Sequence, residues 1–473
     1  MNSNNNDWGL AYKIESNFRY IISEQEAYGW KMDVPAMDEL LDKMLDEREE
    51  IKNRILSLVP LRAINQGEMK KPFKISGERT ALLERWYNNL GKRCFPLEAV
   101  AGTFTRINFE ELNLESPKQR IEVLQNLDWV PTEYNYKVDK HKKPIYDEAG
   151  KKIRLSPKLT EDSVQGIEVG ELMIKYTQLS HRYKLVKGLK ERLREDGAIG
   201  SGGVTCGCNT GRMMHRGVAN IPRAGEFYGN EIRALFSHRE GYTLIGADLK
   251  SLENRLMGHF TYNYDNGAYA KRLESEDSHD ATVNVLARIG ITITRNQAKT
   301  LNYALGYGAQ IGKVLEIIDC DLKTARKAYA AWWSDKKAMK TLKSKIEKSL
   351  KARGQYDGRK LKSNAWIKGI DGRKIYVRSP HSLINCLIQN AGSVVNKFIT
   401  CSVYKQMQEQ GLDAMFVCNY HDEINIECVK KDLTLAKVRG IIEEAVKRCN
   451  DFFGFRVPMD MDIKEGRNWK EIH

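Results

Sequence analysis

The stretch MFVCNYHDEINIEC (Met415–Cys428) limits what this chain can fold into more than any other. Two strand-like runs flank His421 and Asp422, which predicts a β-hairpin about a tight turn. The turn sets Asp422 beside Glu423. Neighbouring carboxylates repel, so both must stay solvated, find a partner or meet a cation.

A second acid stands in a comparable place. YTLIGADL (Tyr242–Leu249) reads as a buried strand that presents Asp248 near its end. SLENRLMGHF follows as a helix, with Ser251 as its expected N-cap. Two carboxylates brought together at a sheet edge can hold two Mg²⁺ ions ~3.5–4 Å apart, the arrangement used for in-line displacement at phosphorus. Mg²⁺ takes few carboxylates and completes its shell with phosphate oxygens and water. Either acid alone reads better as an ordinary turn or strand-end aspartate.

RNQAKTLNYALGYG (Arg295–Gly308) adds a third element. Arg295, Lys299, Tyr303 and Tyr307 recur every fourth residue, which places them within a ~120° arc of one helix. The cations suit triphosphate oxygens and the rings suit sugar and base planes. The bland alternative, a solvated basic stripe, does not call for two tyrosines at this spacing.

Charge points the same way. The chain has 76 Lys+Arg against 62 Asp+Glu, a net +14. That excess suits a polyanion, nucleic acid first, with a solvated basic surface as the alternative. No apolar run approaches the ~18 residues of a membrane span. The polar start MNSNNNDWGL lacks a signal-peptide layout, and nine scattered cysteines fit reduced thiols in a cytoplasmic setting. Cys206 and Cys208 lack a second pair at zinc spacing and read as small buried thiols.

A length of 473 residues allows two to four subdomains. Helical pattern covers about 17–58 and 168–193. The basic stretch between them, near 60–107, reads as an insertion with little core of its own. Glycines at 197–211 mark a boundary, and long helices run on to Ala352.

The three elements, in this order, resemble motifs A, B and C of family A DNA polymerases. DLKSLENR (248–255) resembles motif A, RNQAKTLNYALGYG motif B and HDE (421–423) motif C. TGR (210–212) and NIP (220–222) match further signatures, and WIKGIDGRKIYVRSPHSLINCLIQNAGS with the final NWKEIH resembles the short replicative polymerases of T-odd bacteriophages. The resemblance implies an α+β right-hand fold with an antiparallel-sheet palm, helical fingers and a helical thumb. It implies thumb at 1–200 with the insertion at 60–107, palm at 201–260 and 384–473, and fingers at 261–383. The implied activity is template-directed addition of dNTPs to a primer 3′-OH in phage replication, with pyrophosphate released in host bacterial cytoplasm. A single-subunit RNA polymerase of the same fold is the alternative.

The family's roles carry over as expectations. Asp248, Asp422 and the Leu249 carbonyl would bind two Mg²⁺, with Mn²⁺ able to substitute, and Glu423 would support them. Arg295, Lys299 and His279 would hold the triphosphate, and Tyr303 would stack beside the sugar. Glu253, paired with the motif B aromatic, would exclude a ribose 2′-OH, and Tyr303 implies relaxed rejection of dideoxynucleotides. Tyr307, Arg212, Gln389 and His421 would contact primer–template DNA. Lys250 stands where motif A usually has Ser, and Tyr420 where Val is common. The stretch before Asp248 reads as too short for a proofreading exonuclease, so a separate exonuclease subunit is an expected partner. The thumb insertion reads first as a loop that grips duplex phosphates, with a docking site for a processivity factor as the alternative.

Overall fold

The structure, a computed structural model, describes residues 8–90, 100–140, 145–147, 153–275 and 277–473. The chain forms two compact units, one of Met1–Met37 with Leu189–His473 and one of Asp38–Gly188.

The larger unit is built on a four-stranded sheet of β1 (Tyr242–Leu249), β2 (Ala414–Tyr420), β3 (Glu423–Val429) and β4 (Met461–Gly466). The strands run in the order β2-β3-β1-β4, and every pairing is antiparallel. In this register Asp248 opposes Glu423 on one side and Asp462 on the other. Directly opposed residues share a face, so three acids stand in a row across the sheet.

Eight helices of this unit matter below: α1 (Gly9–Tyr28), α2 (Leu252–Asp265), α3 (Ser278–Ala287), α4 (Arg295–Gly306), α5 (Leu322–Asp335), α6 (Leu383–Glu409), α7 (Asp432–Phe453) and α8 (Trp469–Ile472). β1 and β3 are buried along nearly their whole length, because helices cover the sheet. Ile245, Ala247, Ile424 and Ile426 share one core with Val395 and Ile399 of α6 and Ile441 of α7. Each buried branched side chain contributes ~1.5–3 kcal/mol relative to exposure, which anchors the acid-bearing strand ends. On β1, a Cβ at Gly246 would lie 2.4 Å from the Ile472 carbonyl, so only glycine lets α8 close onto the strand.

Some local expectations change. The first helical stretch is two helices: α1 stops at Gly29 (φ 73°), and Trp30–Lys31 pair with Ala198–Ile199 before the helix Val34–Leu58 begins. Ser251 does precede α2, but it is left-handed (φ 48°) and its side chain makes no capping bond. Cys206 and Cys208 are exposed rather than buried, and the described cysteines are free thiols.

In the smaller unit the helical segment ending at Leu58 lies antiparallel to the helix Glu168–Lys190. Lys175–Glu47 (2.8 Å) and Arg54–Glu168 (2.7 Å) tie them together. The stretch near 60–107 is not coreless, contrary to its sequence reading. Arg62–Met69 pairs antiparallel with Phe104–Glu110, and the helix Ala81–Leu90 packs on them. Met69, Leu83, Trp86 and Val100 are buried together, and the Trp86 indole donates to the Ile107 carbonyl (2.8 Å). Residues 91–99 of that stretch lie outside the described residues.

Candidate active site

The expected hairpin closes with Tyr420 opposite Glu423, leaving His421 and Asp422 as a two-residue turn. His421 is left-handed (φ 60°), a conformation that a side chain disfavours by roughly 1–2 kcal/mol. Three hydrogen bonds hold it. The His421 N–H donates to His215 Nε2 (3.4 Å), Asn396 Nδ2 donates to the His421 carbonyl (2.7 Å), and the Leu249 N–H donates to the Asp422 carbonyl (3.3 Å). The last of these fastens the Asp422 backbone directly to the end of β1. Burial, with His421 alongside, pushes the His215 imidazole down to about 4, so it stays a neutral acceptor at neutral pH.

Asp248 shows the electrostatic consequence. Burial, then the charges of Asp422 and Glu423, raise its carboxyl to about 6. Such a site is short of positive charge. Its hard oxygen donors, Asp248, Asp422 and the Leu249 carbonyl, fit a hard divalent cation. Among the described residues no group of three or more His, Cys, Asp or Glu could hold a metal unaided. Two carboxylates therefore leave most of a metal's coordination shell to other oxygens, as on phosphate-bound Mg²⁺.

Glu423 stands apart from its neighbours. It is 2% exposed, and its oxygens accept from Trp469 Nε1 (2.7 Å) and bond His473 Nδ1 (3.0 Å). It is a buried support for the turn, charging Asp248 through space, rather than a group that faces the opening. Asp462, which the sequence reading passed over, is exposed opposite Asp248 and pairs with Lys464 (3.5 Å).

A cleft of about 1560 Å³ opens over these strand ends. Asp248, Leu249 and Asp422 line it together with Lys299, Tyr303 and Tyr307. α4 is amphipathic in the required sense. Ala298, Leu301 and Leu305 are its buried face, while Tyr303 is 47% exposed. Thr294 and Gln297 form a capping box that fixes where α4 starts. Tyr307 lies one residue beyond the helix, as its C-cap, yet its N–H still donates to the Tyr303 carbonyl (2.9 Å) and its ring centroid lies 6.1 Å from that of Tyr303.

Glu253 accepts from the Tyr307 hydroxyl (2.6 Å) and lies 3.4 Å from Arg212, so its aromatic partner is Tyr307 and not Tyr303. Burial and Glu253 raise the Tyr307 phenol well above its usual range. Arg212, Glu253, His279 and His421 line the same cleft. Arg295 instead turns to Asp277 (2.6 Å) and Asp280 (3.3 Å) on α3 and the residue before it. Gln389 is half-buried on α6, beside the Asn390 that donates to the Thr210 carbonyl (2.9 Å).

A buried ionic network behind Arg212 was not legible in the sequence. The Gly211 carbonyl accepts from Lys397 Nζ (2.6 Å) and Ser393 Oγ (2.8 Å). Lys397, 2% exposed, also pairs with Glu15 of α1 (2.7 Å), which pairs with Arg373 (2.7 Å), which pairs with buried Asp371 (2.6 Å). The network holds the loop that carries Arg212 to Glu253. Locally, a lysine on a helix gives no signal of burial.

Paired acids on an antiparallel sheet, facing a basic and aromatic helix across one cleft, define a nucleotidyltransferase. Residues 80–471 match the model of DNA polymerase family A. The chain is 27% identical over 514 residues to the DNA-directed DNA polymerase of Enterobacteria phage T3, covering 98% of this chain and 70% of that protein. It is 27% identical over 506 residues to that of Escherichia phage T7, with the same coverage. A solved structure, the POL domain of Pol1 from M. smegmatis in complex with DNA primer-template and dNTP, has the same fold. Its TM-score is 0.67 at 17% identity, over 97% of this chain and 70% of that one. The chain belongs to DNA polymerase family A, and its activity is template-directed DNA synthesis. Members of this family use divalent metal ions. Among the described residues no helix is long and apolar enough to cross a membrane.

Proposed function

We propose that Asp248 and Asp422, with the Leu249 carbonyl, hold two Mg²⁺ ions for attack of a primer 3′-OH on the α-phosphorus of a dNTP. The observation that carries this is the bond between the Asp422 carbonyl and the Leu249 N–H, which sets both acid-bearing ends on one cleft. When bound, the ions lower the pKa of the attacking hydroxyl and neutralise the leaving pyrophosphate.

The chain's own residues do the rest. Lys299 faces the cleft and balances triphosphate charge. Arg295 joins it by exchanging its exposed bonds to Asp277 and Asp280 for phosphate oxygens, an exchange that costs little in high dielectric. His279 donates to the same phosphates. The exposed Tyr303 ring stacks beside the sugar. Glu253, pinned by Tyr307 and Arg212, forms the floor that a ribose 2′-OH would strike. Tyr307, Arg212, Gln389 and His421 contact primer–template DNA near the reacting end.

The sheet unit then supplies palm and fingers, and Asp38–Gly188 supplies a basic thumb. Its segment 62–110 has a core of its own, so it is a small folded module that binds duplex phosphates or a processivity factor. The likeness to T3 and T7 polymerases supports a role in phage DNA replication.

Primer extension on a defined template tests the reading. Extension is expected with dNTPs and Mg²⁺, not with rNTPs, and should fall on the order of 10³-fold or more in Asp422→Ala. Synthesis that survives this substitution would refute it.

A further inference from the structure

We propose that Asn302 of α4 is a positioning residue that sets the tautomer of His279, so that the ring offers its Nε2–H to the phosphates of the incoming nucleotide. This rests on the reading above that His279 contacts the dNTP.

The inference starts from an atom that can only donate. The Trp332 indole N–H of α5 lies 2.7 Å from Asn302 Oδ1. An indole nitrogen has no lone pair to offer, so the side-chain atom facing it must be the amide oxygen. Thr282 Oγ1 of α3 donates to the same oxygen (2.8 Å). With the oxygen so occupied, the Asn302 amide nitrogen points the other way, to His279 Nδ1 at 3.2 Å. An amide nitrogen is a donor only, so Nδ1 must present its lone pair. In a neutral imidazole the proton then sits on Nε2.

The surroundings keep this arrangement in place. Trp332 is 1% exposed and Thr282 is buried, so the oxygen's two partners cannot drift into water. His279, Asn302 and Trp332 together line a small cavity of about 70 Å³ beneath Tyr303. His279 also lines the open cleft that holds Asp248, Asp422 and Lys299. With Nδ1 committed to Asn302, Nε2 is the ring atom left for a ligand in that cleft. Burial holds the imidazole below its usual pKa, in keeping with a ring kept neutral. A neutral ring with its donor pre-set avoids choosing a tautomer each time a nucleotide binds.

Nitrogen NMR on the full chain with ¹⁵N-labelled histidine reads the tautomer without any substitution, the His279 signals being those missing in His279→Gln. The expected spectrum has a lone-pair-type Nδ1 and a protonated Nε2, and in Asn302→Asp the proton moves to Nδ1. A protonated Nδ1 in the native enzyme would overturn the inference. Kinetics give the second readout. Asn302→Leu should raise KM for dNTP by roughly 10- to 100-fold, as for one lost bond to a charged group, with kcat little changed. The same change made on His279→Gln should add nothing. An undiminished effect there would mean that Asn302 acts structurally, and would also overturn the inference. If His279→Gln itself leaves KM unaltered, the assignment of His279 to the nucleotide falls, while the NMR result still judges the tautomer.

Discussion

The carboxylate turn and the basic helix α4 face one cleft but are held in opposite ways. The turn at His421 and Asp422 is fixed by sheet pairing, by three hydrogen bonds to its backbone and by a buried Glu423 behind it. Arg295 on α4 is held by ion pairs more than half open to water on its own side. Exposed pairs are worth ~0–1 kcal/mol, whereas a buried charge left unpaired costs several. The contrast separates two tasks. Groups that place metal ions must not move, while groups that grip a triphosphate must let go of their resting partners to do so.

The sharpest way to test that contrast is the buried network behind Arg212. Lys397→Met leaves Glu15 with Arg373 alone and the Gly211 carbonyl with Ser393 alone, and should destabilise the protein by ~1–3 kcal/mol in urea unfolding. A loss below ~1 kcal/mol would mean that the network is no firmer than a surface pair.

Asp248→Asn comes next, with the opposite sign. The folded pKa of Asp248, about 6, lies above its unfolded value of 3.8. The native state therefore binds the extra proton between these values, and stability falls as pH rises through that window, then stays level. Without divalent ions at pH 8, Asp248→Asn should stabilise the protein by ~2 kcal/mol while abolishing synthesis. Added Mg²⁺ should stabilise the native protein and not the variant. Equal melting curves for the two metal-free proteins would show that the acid is not strained.

The smallest effect belongs to the exposed side. Asp277→Asn keeps a capping side chain for α3 and removes one of the two charges facing Arg295. Its stability should change by less than ~1 kcal/mol, and KM for dNTP should fall as Arg295 is released. A large loss of stability would erase the distinction between the two regions.

Much of the cleft was legible before any coordinates. β1, the β2–β3 hairpin and α4 each carry a local pattern: a short apolar run, a two-residue turn or a 3.6-residue period. Their acids, cations and rings could be placed from those patterns alone. What escaped were relations between segments distant in the chain. Glu253 of α2 meets Tyr307 at the end of α4, 54 residues further along the chain. The module at 62–110 buries Met69 with Val100, which no repeat or run connects. Lys397 looks like any helical lysine until Glu15, nearly four hundred residues away, closes on it.

By itself, then, the amino-acid order determined which secondary elements form and which chemistry each displays, because turn geometry and side-chain periodicity act within a few residues. Only the folded chain decided which carboxylate stays free and which is sequestered. Asp422 and Glu423 are adjacent and identical in charge, yet Asp422 sits in the turn and lines the cleft while Glu423, the first residue of β3, is covered by Trp469 and His473. That assignment depends on partners brought in from the far end of the chain, and no local rule contains them.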